Sequence, residues 1–316
     1  MPRDPSIALF AYNRPHHLEE CISSLYRNAE SSRTTLYCFL DGPQDGADIR
    51  LVEQVRRIAS RATSGFFKVH IVERDHHWGL SGNIIDGITQ VLKRHEQVVV
   101  VEDDLVVSPI FLRYMNRALD LYRSALGVFS ISGYNYPQRV FHIPAGYPYD
   151  AFFVLRHNCW GWGTWQDRWE KADWQIRDYA SLSKNESWKR SFRESGLDLP
   201  GMLDAQMHGQ VDSWAIRWTY THFIHNAVCL VPVESLVNNM GADGSGSHMR
   251  FSARYFHPTL SCKREIRLPP LIYIDPLIAQ QYKRVERRSL LFRGMRKFSR
   301  LIRFVTWRDR ITASGG

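Results

Sequence analysis

The sequence has few cysteines and no long hydrophobic run, and each absence excludes a common class of protein. Its five cysteines are odd in number and show no Cys-x-x-Cys spacing, so we expect neither a disulfide framework nor a zinc site. No stretch reaches about 18 uninterrupted apolar residues, so neither a signal peptide nor a membrane span is predicted. The expected location is therefore a reducing compartment, the cytoplasm.

The net charge of +9 is concentrated in one segment near the end of the sequence. Between Lys283 and Arg310, eleven Lys or Arg residues stand against two acids, which leaves thirty basic and thirty acidic residues elsewhere. Because the rest of the chain is electrically balanced, we predict no nucleic-acid-binding surface. The 316 residues, 44% of them hydrophobic, are enough for one large α/β core or two smaller ones.

Four strand-and-helix units follow one another in residues 1–128. Each unit begins with a short apolar run and continues with apolar residues at helical spacing; the runs are 6–12, 34–40, 67–74 and 97–101. This alternation predicts an α/β fold with a mostly parallel, Rossmann-like sheet flanked by helices. Ligands bind such sheets beyond the carboxyl ends of the strands, so we expect Arg14, Asp41 and the acids at 102–104 to line one cleft.

Three consecutive carboxylates, Glu102, Asp103 and Asp104, directly follow the valines of the fourth predicted strand. Adjacent acids repel one another at a strand end unless a cation binds them. Mn²⁺ and Mg²⁺ prefer carboxylate and phosphate oxygens, and they take few protein ligands when a substrate supplies phosphates. The triplet therefore predicts a divalent-metal site; the alternative is an acidic turn paired with surface Lys or Arg.

The segment "VVVVEDDLVVSPIFLRYMNRAL" resembles the metal-binding segment of GT-A-fold glycosyltransferases, especially the N-acetylglucosaminyltransferases that start complex N-glycans and their bacterial relatives. The resemblance implies a GT-A fold and a nucleotide-diphospho-sugar donor, in the first instance a UDP-sugar. It also implies a saccharide or lipid-linked saccharide acceptor. By the same resemblance Asp104 binds the metal, while Glu102 and Asp103 face the donor sugar and ribose.

Further donor-binding positions are implied by the same resemblance. Arg14, in "AYNRPHHL", matches an arginine that contacts the nucleotide phosphates, with an ordinary turn arginine as the alternative. Asp41, in "FLDGP", matches a strand-end acid that accepts hydrogen bonds from the base, although a turn Asp before Gly is equally common. Asn83 or Ser81 is expected near the donor, at a predicted helix start where free N–H groups favour anions.

Residues 129–262 are predicted to form the acceptor-binding and catalytic half of the same domain, after a nucleotide-sugar-binding half at 1–128. "QVDSWAIRW" resembles the segment that carries the family's catalytic base, which implies that Asp212 deprotonates the acceptor hydroxyl in an inverting transfer. The alternative for Asp212 is a helix N-cap. Relatives often have two adjacent acids where this chain has Asp-Ser, which leaves both the position and the inverting outcome open.

Two other segments carry predicted site residues. "NNMGADGSGSHMR" is glycine-rich and is expected to order over the donor, with His248 as a second metal ligand or, alternatively, an exposed histidine. Six of the ten tryptophans lie between Trp160 and Trp188. Most are expected in the core, and Trp162 and Trp214 are predicted to form a platform for the acceptor sugar.

The basic extension, 263–316, contains apolar residues at helical spacing among arginines between 291 and 305. This pattern predicts a basic amphipathic helix on the anionic inner face of a membrane, and a helix docked on the protein body is the alternative. Two other functions stay open. A nucleotidyltransferase should carry a glycine-rich loop after the first strand, which "YNRPHHL" lacks, and a non-catalytic sugar-binding or scaffold protein should show no turnover.

Overall fold

The computed structural model describes residues 5–46, 48–62, 65–241, 259–263 and 265–285. Its first part alternates strands and helices as the apolar runs predict. The strands are β1 (Ser6–Ala11), β2 (Thr35–Leu40), β3 (Lys68–Glu73), β4 (Gln97–Glu102) and the short β5 (Leu105–Val107). The helices are α1 (Pro15–Tyr26), α2 (Ile49–Arg61), α3 (Gly79–Leu92) and α4 (Phe111–Leu121).

The later elements are shorter and less regular. The strands are β6 (Val128–Ser132), β7 (Ala151–Val154), β8 (Trp162–Trp165), β9 (Val228–Pro232) and β10 (Val237–Asn239). The helices are α5 (Gln166–Trp169), α6 (Tyr179–Leu182), α7 (Glu186–Arg193), α8 (Leu199–Met207), α9 (Trp214–Ile224) and a helix at 276–285.

One eight-stranded sheet runs through the molecule in the order β3-β2-β1-β4-β8-β6-β9-β7. Six of its strands share one direction, and β8 and β7 run against them. Strands from before and after residue 128 thus belong to the same sheet. The predicted α/β fold, a mostly parallel GT-A-like sheet flanked by helices, is confirmed. Beyond β4, β5 pairs with β10 in a separate two-stranded antiparallel ribbon.

Alternate residues of the strands face two different cores. On one face, Ile7 and Leu9 of β1 pack with buried residues of α1, α2 and α4. On the other face, Ala8 and Phe10 pack with buried residues of α3 and α9. Both faces are covered, which is why these parallel strands are almost continuously apolar rather than alternating with polar residues.

The predicted basic amphipathic helix at 291–305 lies outside the described residues, as does His248. Over the described part of the chain, no helix is long and apolar enough to cross a membrane.

Candidate active site

The carboxyl ends of the first four strands finish level with one another. Ala11 of β1 pairs with Leu40 of β2, Leu40 pairs with Glu73 of β3, and Phe10 pairs with Glu102 of β4. Parallel strands in this register bring the residues that follow them to one edge of the sheet. The side chains collected there, predicted from the strand pattern, are those after β1, Asp41 after β2 and the acid triplet at the end of β4.

The acid triplet is held tightly at this edge. The backbone N–H of Tyr12 donates to Asp103 Oδ2 at 3.3 Å, and Asp103 is only 8% exposed. The backbone N–H of Met240, just past β10, donates to the carbonyl oxygen of Asp104 at 2.8 Å. The Arg14 guanidinium lies 3.4 Å from Asp104 Oδ2. Arg14, Asp103 and Asp104 are therefore brought together as the resemblance implies.

Burial and mutual repulsion make the triplet electrostatically costly. Burial, followed by the charges of Asp104 and Asp103, raises the pKa of Glu102 well above its ordinary value. Burial and Asp104 raise the pKa of Asp103 to about 7. Burial raises the pKa of Asp104, and Arg14 opposes that shift. Arg14 forms an ion pair with Asp104, and the raised pKa values mean that ionised carboxylates are unfavourable at this edge, so a bound cation would stabilise them.

The geometry suits a metal with few protein ligands. Over the described residues, no group of three or more His, Cys, Asp or Glu side chains converges so as to enclose an ion. A cation beside Asp104 would thus take one or two carboxylates from the protein and complete its shell with phosphate oxygens or water. That donor set suits a hard ion such as Mn²⁺ or Mg²⁺.

The backbone of Gly241 closes one side of the Asp104–Arg14 pair. A Cβ atom at position 241 would lie 2.2 Å from Asp104 Oδ2 and 3.1 Å from Arg14 Nη1. The first distance is far inside van der Waals contact, so only glycine fits while the carboxylate keeps this position. The glycine-rich sequence indicated that this segment lies near the donor site, but it did not reveal the contact between Gly241 and Asp104.

Asp41 is used differently from what the resemblance implies. Its Oδ1 accepts from the backbone N–H groups of Gly42 at 2.9 Å and Trp78 at 2.8 Å, and its Oδ2 accepts from Gly79 at 3.1 Å. The His77 ring also lies against Oδ2. A 3% exposed carboxylate with these partners fixes the turn before α3, which leaves it little capacity to accept from a base.

Asn83 and Ser81 both turn inward from the start of α3. Asn83 is 3% exposed, its Oδ1 accepts from Arg74 Nε at 3.0 Å, and its Nδ2 lies 3.5 Å from the Phe39 carbonyl oxygen. Ser81 is 2% exposed. Helical periodicity could not reveal this, because Arg74 arrives from the end of β3 to bind Asn83. The structure does not present either side chain on the cleft surface.

Asp212 lies beside the same turn. Its Oδ2 is 3.8 Å from where a Cβ of Gly79 would be, because α9 packs on α3. The side chain is 60% exposed and forms an ion pair with Arg217 Nη2 at 3.2 Å. Ser213, rather than Asp212, caps α9, since its Oγ accepts from the Ile216 N–H at 3.4 Å. The N-cap alternative for Asp212 is therefore wrong.

The two tryptophans predicted to bind the acceptor are both in the core. Trp162 is 0% and Trp214 is 2% exposed, and their rings stack on each other with centroids 5.3 Å apart. A sugar needs a free ring face for stacking, and neither indole has one. The prediction treated each tryptophan singly, whereas the packing of α9 on the sheet decides which faces are covered.

Trp160, in contrast, is not among the predicted site residues and is not fully buried. It is partly exposed, and its ring contacts Tyr134 edge-on with centroids 4.4 Å apart. The thiol of the neighbouring Cys159 has a pKa raised to about 12. Burial is the main cause, and the charges of Glu102 and Asp104 add to it. Gly161, with φ +59°, makes the turn that brings this segment to the acids.

The sequence matches the model of one protein family. The model of "Glycosyl transferase family 2" matches residues 6–181, which is more than half of the chain. No curated protein matches the sequence.

Similar solved structures include three enzymes of low sequence identity. A cytidylyltransferase from Leptospira borgpetersenii serovar Hardjo-bovis is 11% identical with a TM-score of 0.32, over 54% of this chain and 63% of that one. The galactosyltransferase LgtC, in complex with donor and acceptor sugar analogs, is 9% identical with a TM-score of 0.37, over 68% and 69%.

The glucosyl-3-phosphoglycerate synthase from Mycobacterium tuberculosis, in complex with Mn²⁺, UDP and glucosyl-3-phosphoglycerate, is 13% identical with a TM-score of 0.36. That likeness covers 61% of this chain and 67% of the synthase. At such identities and TM-scores, none of the three likenesses bears on activity. The family assignment depends on the family model alone.

Proposed function

The chain belongs to glycosyl transferase family 2 and is a glycosyltransferase, and we propose that it uses a nucleotide-diphospho-sugar, in the first instance a UDP-sugar, with a divalent cation. The acceptor we propose is a saccharide or a lipid-linked saccharide. The observation that carries the donor proposal is the triplet of Glu102, Asp103 and Asp104 at the carboxyl edge of the sheet, where all three pKa values are raised and Asp104 adjoins Arg14.

Mn²⁺ or Mg²⁺ would be held by Asp104, with Asp103 or Glu102 as a further ligand. When bound, such an ion supplies positive charge to the diphosphate as it departs. Arg14 would contact the same phosphates, because its guanidinium already lies at Asp104. His248, predicted as a second ligand, stays a proposal for the 242–258 segment, which begins directly after Gly241.

Asp212 is the proposed base. An inverting transfer needs one carboxylate that takes the proton of the acceptor hydroxyl while that oxygen attacks the anomeric carbon. Asp212 is exposed, is not used as a helix cap, and lies beside the start of α3 where the donor edge begins. Arg217 Nη2, 3.2 Å from Asp212 Oδ1, would orient the carboxylate.

The acceptor is proposed to lie near Trp160, a partly exposed indole on which a sugar ring could stack, since the thiol of the neighbouring Cys159 is influenced by the charges of the triplet. Beyond the start of β10 there is a cavity of about 490 Å³ whose lining includes Tyr136, Gln138, Arg139 and Glu234. An aromatic ring with planar polar side chains suits further sugar units of an extended acceptor.

Two finer points also belong to the proposal. The likeness of the triplet segment to N-acetylglucosaminyltransferases makes UDP-N-acetylglucosamine the first donor to try. Association with an anionic membrane, through the basic extension, would suit a lipid-linked acceptor. Four exposed apolar side chains, Leu271, Ile272, Tyr273 and Leu277, lie within that extension and support this idea.

The decisive experiment is calorimetric titration of UDP and GDP into the full chain, with and without Mn²⁺. We expect metal-dependent binding in the wild type, loss of it in Asp104→Asn, and unchanged binding in Glu186→Gln, an exposed acid that pairs with Lys189 on the surface. Binding that ignores both the metal and Asp104 would overturn the donor site. Sugar binding without metal and without turnover would instead favour the scaffold function.

A further inference from the structure

His77 lies at the edge of the sheet where the proposed donor's base would sit, and nothing in the resemblance assigns it a role. It follows β3, next to Asp41 after β2 and Tyr12 after β1. The Tyr12 and His77 rings pack with centroids 4.7 Å apart at 38°. His77 keeps 29% of its side chain exposed. It is thus a polar ring that contacts Tyr12 and Asp41 and keeps part of its surface exposed.

Asp41 contacts one of the two ring nitrogens of His77. His77 Nδ1 lies 2.9 Å from Asp41 Oδ2, and this nitrogen is buried. The two atoms are close, but Nδ1 forms no hydrogen bond within the described part of the chain, so we describe the contact as electrostatic. A carboxylate at this distance favours the proton on Nδ1, which makes Nε2 of the neutral ring a hydrogen-bond acceptor. Over the described residues, no protein group bonds to Nε2.

A chain of contacts joins this ring to the proposed phosphate site. The Tyr12 ring packs against the His77 ring, and the Tyr12 backbone N–H donates a hydrogen bond to Asp103 at 3.3 Å. In the sheet order β2-β1-β4, the strand before Asp41 is two spacings, or about 10 Å, from the strand that ends in the triplet. A nucleoside diphosphate with its phosphates at Arg14 and Asp104 can span that distance.

We propose that His77 selects the nucleobase of the donor, by accepting a hydrogen bond at Nε2 from a base whose pairing edge carries a ring N–H. Uracil and thymine carry this N–H at N3, and guanine carries it at N1. Cytosine N3 and adenine N1 are acceptors, which would face another acceptor. Asp41 acts through His77 as a positioning residue, because its own oxygens are occupied by the backbone of 42, 78 and 79.

The inference rests on the proposed function, since it needs a nucleotide at this edge. A site built to receive an N–H rejects a ligand that lacks it, because a buried acceptor is then left unpaired. We therefore expect the wild type to bind UDP or GDP at least about tenfold more tightly than CDP and ADP.

The test is calorimetric titration of UDP, GDP, CDP and ADP with Mn²⁺ present, on the full chain and three variants. His77→Ala should bring the affinity for the preferred nucleotide within about threefold of that for CDP, mainly by weakening the former. The glutamine in His77→Gln offers both a donor and an acceptor, so this variant should bind CDP more tightly and bring the two affinities closer together. Unfolding of the variant cannot produce a gain in affinity. His76→Ala is the matched control, because His76 is 71% exposed and pairs with Asp75.

Each outcome decides one of the two proposals. An unchanged preference in both His77 variants, or a wild type that prefers CDP or ADP, would overturn the role of His77 and leave the donor site intact. A loss of preference in His76→Ala equal to that in His77→Ala would also overturn it. Absence of binding by any of the four nucleotides would remove the donor site, and the role of His77 with it.

Discussion

The Cα of Gly241 lies against the carboxylate of Asp104, so that a Cβ at position 241 would come within 2.2 Å of Oδ2. The same Cβ would be 3.1 Å from Arg14 Nη1. Asp104 precedes β5 and Gly241 follows β10, and because Leu105 pairs with Asn239, both residues lie at the same end of this two-stranded ribbon. The ribbon therefore fixes the position of the acid that we propose to hold the metal.

Gly241→Ala is expected to abolish metal-dependent nucleotide binding, because the added methyl group must displace the Asp104 carboxylate or the chain itself. Gly201→Ala is the control. No atom lies within 4 Å of the Cβ position in α8, so alanine there should be neutral or stabilise by up to about 1 kcal/mol. Titration of UDP with Mn²⁺ measures the effect, and wild-type affinity in Gly241→Ala would show that Asp104 is not the ligand.

Asp212→Asn should lower kcat by about two to four orders of magnitude without weakening the donor, if Asp212 takes the acceptor proton. Ser213→Ala separates this role from a structural one. It removes the cap of α9 and should cost about 1 kcal/mol of stability while leaving kcat near wild type. Release of the nucleoside diphosphate, measured with an active donor and acceptor, gives kcat. Equal losses in the two variants would point to the fold of the 212–214 turn rather than to a base.

Two buried histidines predict how stability responds to acid. Ser130 Oγ lies 3.0 Å from His157 Nδ1 and 3.1 Å from His222 Nε2. Burial lowers the pKa of His222 to about 3 and that of His157 well below its usual range. The unfolded chain takes up these protons below about pH 6.5, whereas the folded protein does not.

Stability contributed by each histidine is thus present above pH 6.5 and is lost as the pH falls. Between pH 6.5 and pH 5 the loss is about 2 kcal/mol per histidine. Urea unfolding of wild type and His222→Asn at both pH values checks this, since the variant should lose less stability across that range. The difference between the two proteins isolates His222 from the acid triplet, whose raised pKa values act in the opposite direction. An identical pH dependence would exclude the histidine as a cause.

Replacing Leu271, Ile272, Tyr273 and Leu277 together by serine should weaken sedimentation with anionic liposomes, if these exposed side chains enter the bilayer interface. All four are at least 45% exposed, so the folded state should keep its thermal midpoint. Neutral liposomes provide the control, because the basic extension adds an electrostatic contribution only on anionic lipid. Unchanged sedimentation with anionic lipid would exclude this surface from any membrane contact.

The local sequence pattern alone predicts the first four strands. It also predicts that Arg14, Asp41 and the triplet lie at one edge of the sheet. Parallel strands that begin and end in register require that arrangement. The partners that the pattern could not show belong to distant segments. Asp41 accepts hydrogen bonds from the backbone of the 77–79 turn, and Asn83 accepts one from the Arg74 side chain. Trp162 and Trp214 are covered by each other. None of these partners is adjacent in sequence.

The placement of tryptophans also determines what an optical experiment would report. Trp162, Trp214 and Trp218 are almost completely buried, so their emission should be insensitive to events in the cleft. Trp78, by contrast, is 40% exposed, lies under the Arg74 guanidinium at 3.9 Å, and directly follows His77. A nucleotide at His77 is therefore expected to change the fluorescence of Trp78, and Trp78→Phe should reduce that signal while the protein still binds the ligand.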